Sequence, residues 1–129
     1  MARMDYIGIV VEDMARSLRF YRAAGLDIPA EADNEQHVDL TLPSGMRVAW
    51  DTVSVIRSFD PDWQPQEGNR LAIGFQCDTP AEVDKLYDDL TAAGHTGHRK
   101  PWDAFWGQRY ASVYDPDGVS VDLFAARGA

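Results

Sequence analysis

A chain of 129 residues with 45% hydrophobic content can build the core of one domain, which excludes the disordered and fibrous classes. Its formal net charge of −9 argues against nucleic-acid binding, which requires a basic face, and it disfavours anionic membranes as partners. No apolar run approaches the ~20 residues that span a bilayer, and the N-terminus lacks a basic region before a hydrophobic stretch, so we expect a cytoplasmic protein.

The first part of the chain predicts a strand, a helix and a hairpin, in that order. Residues 4–11 are apolar on both faces of a period-two pattern, as in a mostly buried strand. Asp13 caps the helix that follows, and Gly25 supplies its left-handed end. Residues 37–42 and 46–51 then predict two strands joined by a Pro-Ser-Gly turn.

One face of this hairpin is predicted to be polar. Strand alternation sends Val38, Leu40 and Trp50 to the core. The opposite face then carries the candidate ligand-binding residues His37, Asp39, Arg47 and Asp51. A solvent-exposed strand face has the same pattern, so the residues alone leave both interpretations open.

The middle of the chain predicts a linker. Periodicity fades over about residues 53–69, and residues 60–65 have turn chemistry throughout. We interpret this segment as the connection between a first module, about residues 1–52, and a second module, about residues 70–129. Trp63 is unusual in a solvated loop, because an aromatic ring gains nothing there unless it covers an apolar group. We predict that it closes over a ligand or, alternatively, over a neighbouring subunit.

The second module opens with the same order of elements. Residues 71–77 predict a strand that ends in Cys77, the single cysteine, which we expect to be a buried and inert thiol. Residues 79–82, Thr-Pro-Ala-Glu, form a capping box at the start of a helix that Gly94 ends. His95 and His98 follow without a cysteine or carboxylate at ligand spacing, so we expect exposed imidazoles rather than a metal site.

An aromatic segment comes next. Trp102, Phe105 and Trp106 fall within five residues, which is more than one hairpin needs, and Tyr110 follows on the next predicted strand. Such rings predict stacking on a planar ligand. Packing in the core or at an interface is the alternative.

A second tight turn, residues 115–118 with the sequence Asp-Pro-Asp-Gly, joins the last two predicted strands. Alternation beyond the turn directs Asp122 away from the core, which makes it a candidate site residue. A single β-bulge between Arg109 and Tyr114 would exchange the faces of Arg109 and Tyr110.

Both halves of the chain follow one pattern, so we interpret them as two copies of one unit. In this order the motifs resemble the vicinal oxygen chelate superfamily, the group of glyoxalases, bleomycin-resistance proteins and extradiol dioxygenases. The resemblance covers essentially the full length and is carried by residues 6–13, 17–21, 25–26, Phe75, Gly94, 106–107 and 115–118. It implies an α+β fold, a single domain over residues 1–129 in which two βαβββ modules form a curled mixed sheet around a shared cavity, commonly as a homodimer.

Metal-dependent members of this superfamily hold their ion with four donors, which the resemblance places at Tyr6, Ala49, near Ala72 and at Asp122. Of these, only Asp122 is a good donor for a divalent ion, because affinity requires several donors in fixed geometry. We therefore expect no metal, no cofactor and no catalytic residue. The resemblance then implies a noncatalytic protein that sequesters an aromatic antibiotic or metabolite, with or without a cationic group.

The ligand-binding residues that we predict come from both halves of the chain: Tyr6, His37, Asp39, Arg47, Asp51, Trp63, Trp102, Phe105, Trp106, Tyr110 and Asp122. Two other hypotheses remain open. One is a glyoxalase-like or dioxygenase-like enzyme, with an unusual metal site that includes His37, or without metal and with His37 and Asp39 as an acid–base pair. The other is a sensing or interaction domain in which the loop aromatics form a subunit interface.

Overall fold

The computed structural model describes residues 1–128, which form two compact units. The first unit comprises Met1–Arg19 and Asp27–Gln66, and the second comprises Phe20–Leu26 and the chain from Glu67 onward. Each unit contains one mixed β-sheet, with three strands in the first and four in the second. The predicted α+β class is confirmed, and neither sheet closes into a barrel within the described residues.

The sheet of the first unit has the order β1-β3-β2, with β1 parallel and β2 antiparallel to β3. Its strands are β1 (Tyr6–Val11), β2 (His37–Thr41) and β3 (Arg47–Thr52). Helix α1 (Met14–Ala24) follows β1, and a short 3-10 helix, Ala30–Asn34, precedes β2. A βαβββ module has four strands, so this unit has one strand fewer, with the 3-10 helix in the connection before β2.

Part of the segment interpreted as a linker is helical. Val53–Phe59 form helix α2, which packs on β3 and β1. The hydroxyl of Thr52 caps this helix by accepting a hydrogen bond from the backbone N–H of Val55 at 3.3 Å. Three of the seven residues of α2 are β-branched, which lowers its intrinsic helix propensity, and none of the seven is fully buried. The sequence pattern therefore did not indicate a helix.

The sheet of the second unit has the order β4-β7-β6-β5, with β4 parallel to β7 and the remaining pairs antiparallel. Its elements are β4 (Ala72–Gln76), α3 (Pro80–Ala92), β5 (Thr96–Asp103), β6 (Gln108–Tyr114) and β7 (Ser120–Ala126). This is the complete βαβββ order. Helix α3 covers the face of the sheet that carries the fully buried Val113, Val121 and Leu123.

The start of α3 confirms the predicted cap. The hydroxyl of Thr79 accepts a hydrogen bond from the backbone N–H of Glu82 at 3.2 Å. The carboxylate of Glu82 reaches back and accepts from the backbone N–H of Asp78 at 3.0 Å, one residue before the capping residue.

Trp50 on β3 is fully buried, as the strand alternation predicted.

The last five residues of α1, Phe20–Ala24, belong to the second unit. The buried Tyr21 hydroxyl donates a hydrogen bond to Asp115 at 2.8 Å. The other carboxylate oxygen of Asp115 accepts from the backbone N–H groups of Asp117 and Val119, at 2.9 and 2.8 Å, which fixes the predicted turn. Burial raises the pKa of the Asp115 carboxyl above its ordinary value.

Two further expectations concern the burial of Cys77 and membrane-spanning segments. Cys77 is half-buried rather than fully buried, because it lies just beyond the end of β4; burial still raises the pKa of its thiol, which keeps it protonated. Within residues 1–128, every helix is too short or too polar to cross a membrane.

Candidate functional site

The polar face predicted for the first hairpin is a connected chain of charged side chains. His37 lies opposite Asp51 in the register of β2 and β3, and its Nδ1 is 2.6 Å from a carboxylate oxygen of Asp51. Its Nε2 is 3.1 Å from Asp39, two residues further along β2. The structure thus brings together the residues predicted to share this face.

Arg47 extends this series of side-chain contacts toward β1. Its guanidinium donates to Asp39 at 2.7 Å and to Asp5 at 2.6 Å, and it lies 5.4 Å from the centre of the Tyr6 ring. We name the set Asp5, His37, Asp39, Arg47 and Asp51 the strand network. Asp5 was not predicted as a site residue, because the segment that contains it, residues 4–11, was interpreted as a mostly buried apolar strand; in the structure Asp5 lies one residue before β1. The feature that could have identified Asp5 is its position next to Tyr6, which pairs in register with Arg47.

Electrostatics define what the strand network can do. The hydrogen bond to Asp51 raises the pKa of His37; burial opposes this shift, and Asp39 adds to it. Both ring nitrogens are therefore held by carboxylates, which favours the imidazolium form. An acid–base catalyst needs one ring nitrogen within reach of the substrate. This arrangement suits a clamp that joins the strands better than it suits proton transfer.

Four aromatic side chains meet at the β5–β6 hairpin of the second unit. The Trp106 ring makes edge-to-face contacts with Trp102, Phe105 and Tyr110, at centroid distances of 5.5, 4.8 and 5.3 Å. We name these four residues the aromatic cluster. Trp106 is 48% exposed and Phe105 is 90% exposed, so the cluster presents ring surface to solvent.

The irregular backbone of β5 positions part of this cluster. Two register shifts, between Gly97 and Arg99 and between Arg99 and Trp102, occur where β5 pairs with β6. They place Arg99 opposite Ser112 and Trp102 opposite Tyr110. The Arg99 guanidinium then lies 4.3 Å from the centre of the Trp102 ring, within the range of a cation–π contact.

Strand alternation alone left the face of Tyr110 open, and the pairing of β6 with β7 determines it. The pairing of β6 with β7 runs without a register shift from Gln108 to Tyr114. Tyr110 consequently shares the face of Asp122, whereas Arg109 points to α3 and donates to Asp84 at 2.8 Å. The bulges lie on β5 instead.

Asp122 occupies the centre of this face. One of its carboxylate oxygens accepts a hydrogen bond from the Tyr110 hydroxyl, and the other accepts from Ser112 at 2.8 Å. Burial raises the pKa of Tyr110 to about 12, and the Asp122 carboxylate adds to the shift. The phenol therefore stays protonated near neutral pH. Gly74 lies directly opposite Asp122 on β4 and places no side chain beside it.

Two indole N–H groups of the aromatic cluster differ in their partners. Trp106 donates to the side-chain oxygen of Gln108 at 2.8 Å. The Nε1 of Trp102 is buried and has no hydrogen-bond partner among residues 1–128. A buried donor without a hydrogen-bond partner destabilises the folded protein. A ligand acceptor placed beside the Trp102 N–H would therefore form a favourable hydrogen bond.

Trp63 is separate from the aromatic cluster and belongs to the first unit. It follows α2, where its ring lies 5.9 Å from the guanidinium of Arg57. The Nε of Arg57 also donates to the backbone carbonyl of Trp63 at 3.2 Å. These contacts give the ring a local partner, and its role in ligand closure stays a prediction.

The donor set at the superfamily's metal positions does not fit a divalent ion. Tyr6 and Ala49 lie on neighbouring strands of the first sheet, and Ala72 and Asp122 lie on the same face of the second. Only one of these four side chains is a carboxylate. In the described part of the chain, no group of three or more His, Cys, Asp or Glu side chains is placed to hold a metal ion.

The fold and these surfaces define a two-module α+β protein with a strand network in one unit and an exposed aromatic cluster in the other. The chain belongs to the Glyoxalase/Bleomycin resistance protein/Dioxygenase superfamily, whose family model matches residues 3–123. The family resemblance inferred from the sequence is thereby confirmed. A comparison with curated proteins gave no match.

Solved structures with the same fold come from several bacteria. A glyoxalase/bleomycin resistance protein/dioxygenase family enzyme from Burkholderia phytofirmans PsJN has a TM-score of 0.82 and 19% identity, over 97% of this chain and 99% of its own. A superfamily member from Sphaerobacter thermophilus has a TM-score of 0.67 and 25% identity, over 97% and 98%. A protein of unknown function from Agrobacterium tumefaciens has a TM-score of 0.70 and 25% identity, over 98% and 94%.

Proposed function

We propose that this protein binds an aromatic small molecule, an antibiotic or a similar metabolite, and holds it without converting it. The observation that supports this function best is the environment of Trp106. Its ring contacts three other aromatic rings at their edges, yet almost half of its surface is exposed. Exposed aromatic surface of this extent is typical of a binding site rather than of a solvated hairpin.

The packing within the aromatic cluster supports a rigid platform for stacking. Edge-to-face contacts hold the rings in fixed orientations, so a planar ligand meets them with little loss of side-chain freedom. Each ring that stacks on the ligand contributes roughly 0.5–1.5 kcal/mol beyond the apolar area that it buries.

The charge around Asp122 favours a ligand that also carries a cationic group. Each carboxylate oxygen of Asp122 accepts one hydrogen bond and keeps a second lone pair. The carboxylate therefore remains able to accept from an ammonium or amidinium group. Because the whole chain has a net charge of −9, its field attracts cations and repels anions.

The chemistry of the two surfaces supports binding over conversion. In the strand network both nitrogens of His37 are engaged with carboxylates. In the second unit the raised pKa of Tyr110, about 12, keeps that phenol from acting as a base near neutral pH. The metal-free form of the enzyme hypothesis relies on His37 and Asp39 as an acid–base pair, and this geometry gives that form little support.

The test is a thermal-shift screen of planar aromatic natural products, followed by calorimetry on each hit. We expect stoichiometric binding and recovery of the ligand with unchanged mass. The Trp106→Ala variant should bind at least about tenfold more weakly, because one stacking ring and the contacts that orient the others are lost. Phe59→Ala is the matched control, since Phe59 is an exposed aromatic residue of the first unit. Recovery of a modified product, or full affinity in Trp106→Ala, would contradict the proposal.

A subunit contact is the second candidate role for the exposed rings, and we retain the homodimer as a proposal. Its support is the exposure of the rings themselves, with Phe105 90% and Trp106 48% exposed. Light scattering on the wild type and on Trp106→Ala separates the two roles. A fall in mass would assign the aromatic cluster to the interface, whereas an unchanged mass with weaker ligand binding would assign it to the ligand.

A further inference from the structure

An open pocket of ≈ 330 Å³ lies in the second unit, at the end of the sheet where β4 and β7 begin. Its polar lining consists of Asn69, Arg70, His98, Tyr114 and Ser120. We propose that this pocket binds the carboxylate group of a small organic acid. The inference does not depend on the proposed aromatic ligand, because the aromatic cluster lies at the opposite end of β6 and β7.

The charge of this pocket differs from that of the rest of the protein. The chain has 21 acidic and 12 basic residues, yet no carboxylate lines this pocket. Other cations, such as Arg47, Lys85 and Arg109, are paired with aspartates. Arg70 forms no hydrogen bond or ion pair with any described residue, so its N–H groups remain available to an oxyanion.

His98 and Tyr114 supply a second donor. The Tyr114 hydroxyl is 2.7 Å from Nδ1 of His98, and the two rings are 4.6 Å apart between centroids. If the phenol donates into Nδ1, the neutral imidazole carries its proton on Nε2; if Nδ1 donates, the phenol O–H is free. In both arrangements one N–H or O–H donor remains for a ligand.

The remaining lining completes a site with a polar and an apolar side. The side-chain oxygen of Asn69 accepts a hydrogen bond from the backbone N–H of Ser120 at 3.2 Å, which ties the segment that carries Arg70 to β7. The Ser120 hydroxyl adds a neutral donor. Leu71 and Ala72 provide apolar surface beside these donors, which suits an acid with a short hydrocarbon body.

The balance of charge favours a carboxylate over a phosphate. The pocket offers one fixed cation, Arg70, and neutral donors, which matches a ligand with a single negative charge. The planar guanidinium fork also matches the two oxygens of a carboxylate. A phosphate dianion carries a second negative charge, which the single guanidinium of Arg70 would leave unpaired in a protein whose net charge is −9.

The experiment is an NMR titration of the ¹⁵N-labelled protein with butyrate, and separately with butyramide and inorganic phosphate at constant ionic strength. Butyrate should give saturable shifts at the amides of Arg70, His98 and Ser120. Butyramide, which has the same shape without the charge, should give none at these amides. In Arg70→Gln the butyrate affinity should fall at least about tenfold, and in Arg70→Lys it should fall less, because the charge is kept and the fork is lost.

Arg19→Gln is the matched control, because it removes one exposed arginine outside the pocket; it should leave butyrate binding unchanged. The titration spectra also report whether each variant is folded. Equal binding of butyrate in Arg70→Gln, or equal shifts with butyramide, would overturn the proposal. Inorganic phosphate that displaces butyrate from the same amides would overturn the assignment to carboxylates.

Discussion

At the residue scale, His37 couples the protonation of one imidazole to the stability of the first sheet. The ring lies between Asp51 on β3 and Asp39 on β2, and the hydrogen bond to Asp51 is the main reason that its pKa is raised in the folded state. In the unfolded chain the pKa returns to about 6.5. The folded state therefore binds the proton more tightly than the unfolded state does.

We expect this coupling to appear as a pH-dependent difference between the wild type and His37→Gln. The stabilisation is fully present below a pH of about 6.5 and is lost as the pH rises through the raised pKa of the folded protein. The side chain is half exposed, so water screens the ion pairs and the difference should be only about 0.3–1 kcal/mol. Urea unfolding of both proteins across this pH range measures it. A difference that stays constant or grows with rising pH would contradict the assignment.

At the element scale, regular strands could be predicted from the sequence, and irregular ones could not. The alternation after the Asp-Pro-Asp-Gly turn placed Asp122 on the polar face, since β7 pairs with β6 in unbroken register. The two register shifts in β5 left no periodic signal, because a bulge changes the parity of a strand without changing its composition. For the same reason the sequence could not predict that Trp102 lies opposite Tyr110.

Gly97 lies at the first of these register shifts and offers a test of how β5 packs on α3. A Cβ atom added at this position would overlap the Tyr87 hydroxyl, so the phenol would have to move. Gly97→Ala should therefore destabilise the protein by about 1–3 kcal/mol, the usual cost of overpacking. Chemical denaturation of the variant measures the change in the free energy of unfolding.

The double variant Gly97→Ala/Tyr87→Phe is the control for this steric explanation. Removal of the hydroxyl relieves the shortest contact and leaves the 3.0 Å approach to the ring, so we expect it to restore part of the lost stability. If the two substitutions were simply additive, the cause would lie in the backbone of β5 and not in the contact with Tyr87.

At the scale of the whole molecule, the duplicated pattern predicted the family and the α+β class, but not the partners of each helix. Phe20–Leu26, at the end of α1 and just beyond it, belong to the second unit. The partners of this segment, Asp115 for Tyr21 and His95 for Phe20, are far along the chain. Helical spacing identifies a buried stripe but carries no information on which sheet covers it.

Net charge is a property of the whole molecule, and it leads to a prediction about ligand preference. N-Methylacridinium and acridine have nearly the same shape, and the first carries a permanent positive charge. With a net charge of −9 on the protein, we expect the cation to bind roughly threefold to tenfold more tightly than the neutral ring at low ionic strength. Salt should reduce this preference, because a Debye length of about 3 Å at 1 M screens distant charges.

Quenching of tryptophan fluorescence along a salt series measures the affinities of the two acridines. Comparison of the wild type with Trp106→Ala isolates the contribution of the aromatic cluster. Asp122→Asn separates the local from the global contribution, since it removes one charge beside the aromatic cluster and leaves the others in place. If the field of the whole molecule sets the preference for the cation, Asp122→Asn keeps part of that preference at low salt. High salt then abolishes the part that remains. Equal affinities of the two acridines at low salt would show that charge plays no part in ligand selection, and would leave ring stacking as the sole determinant.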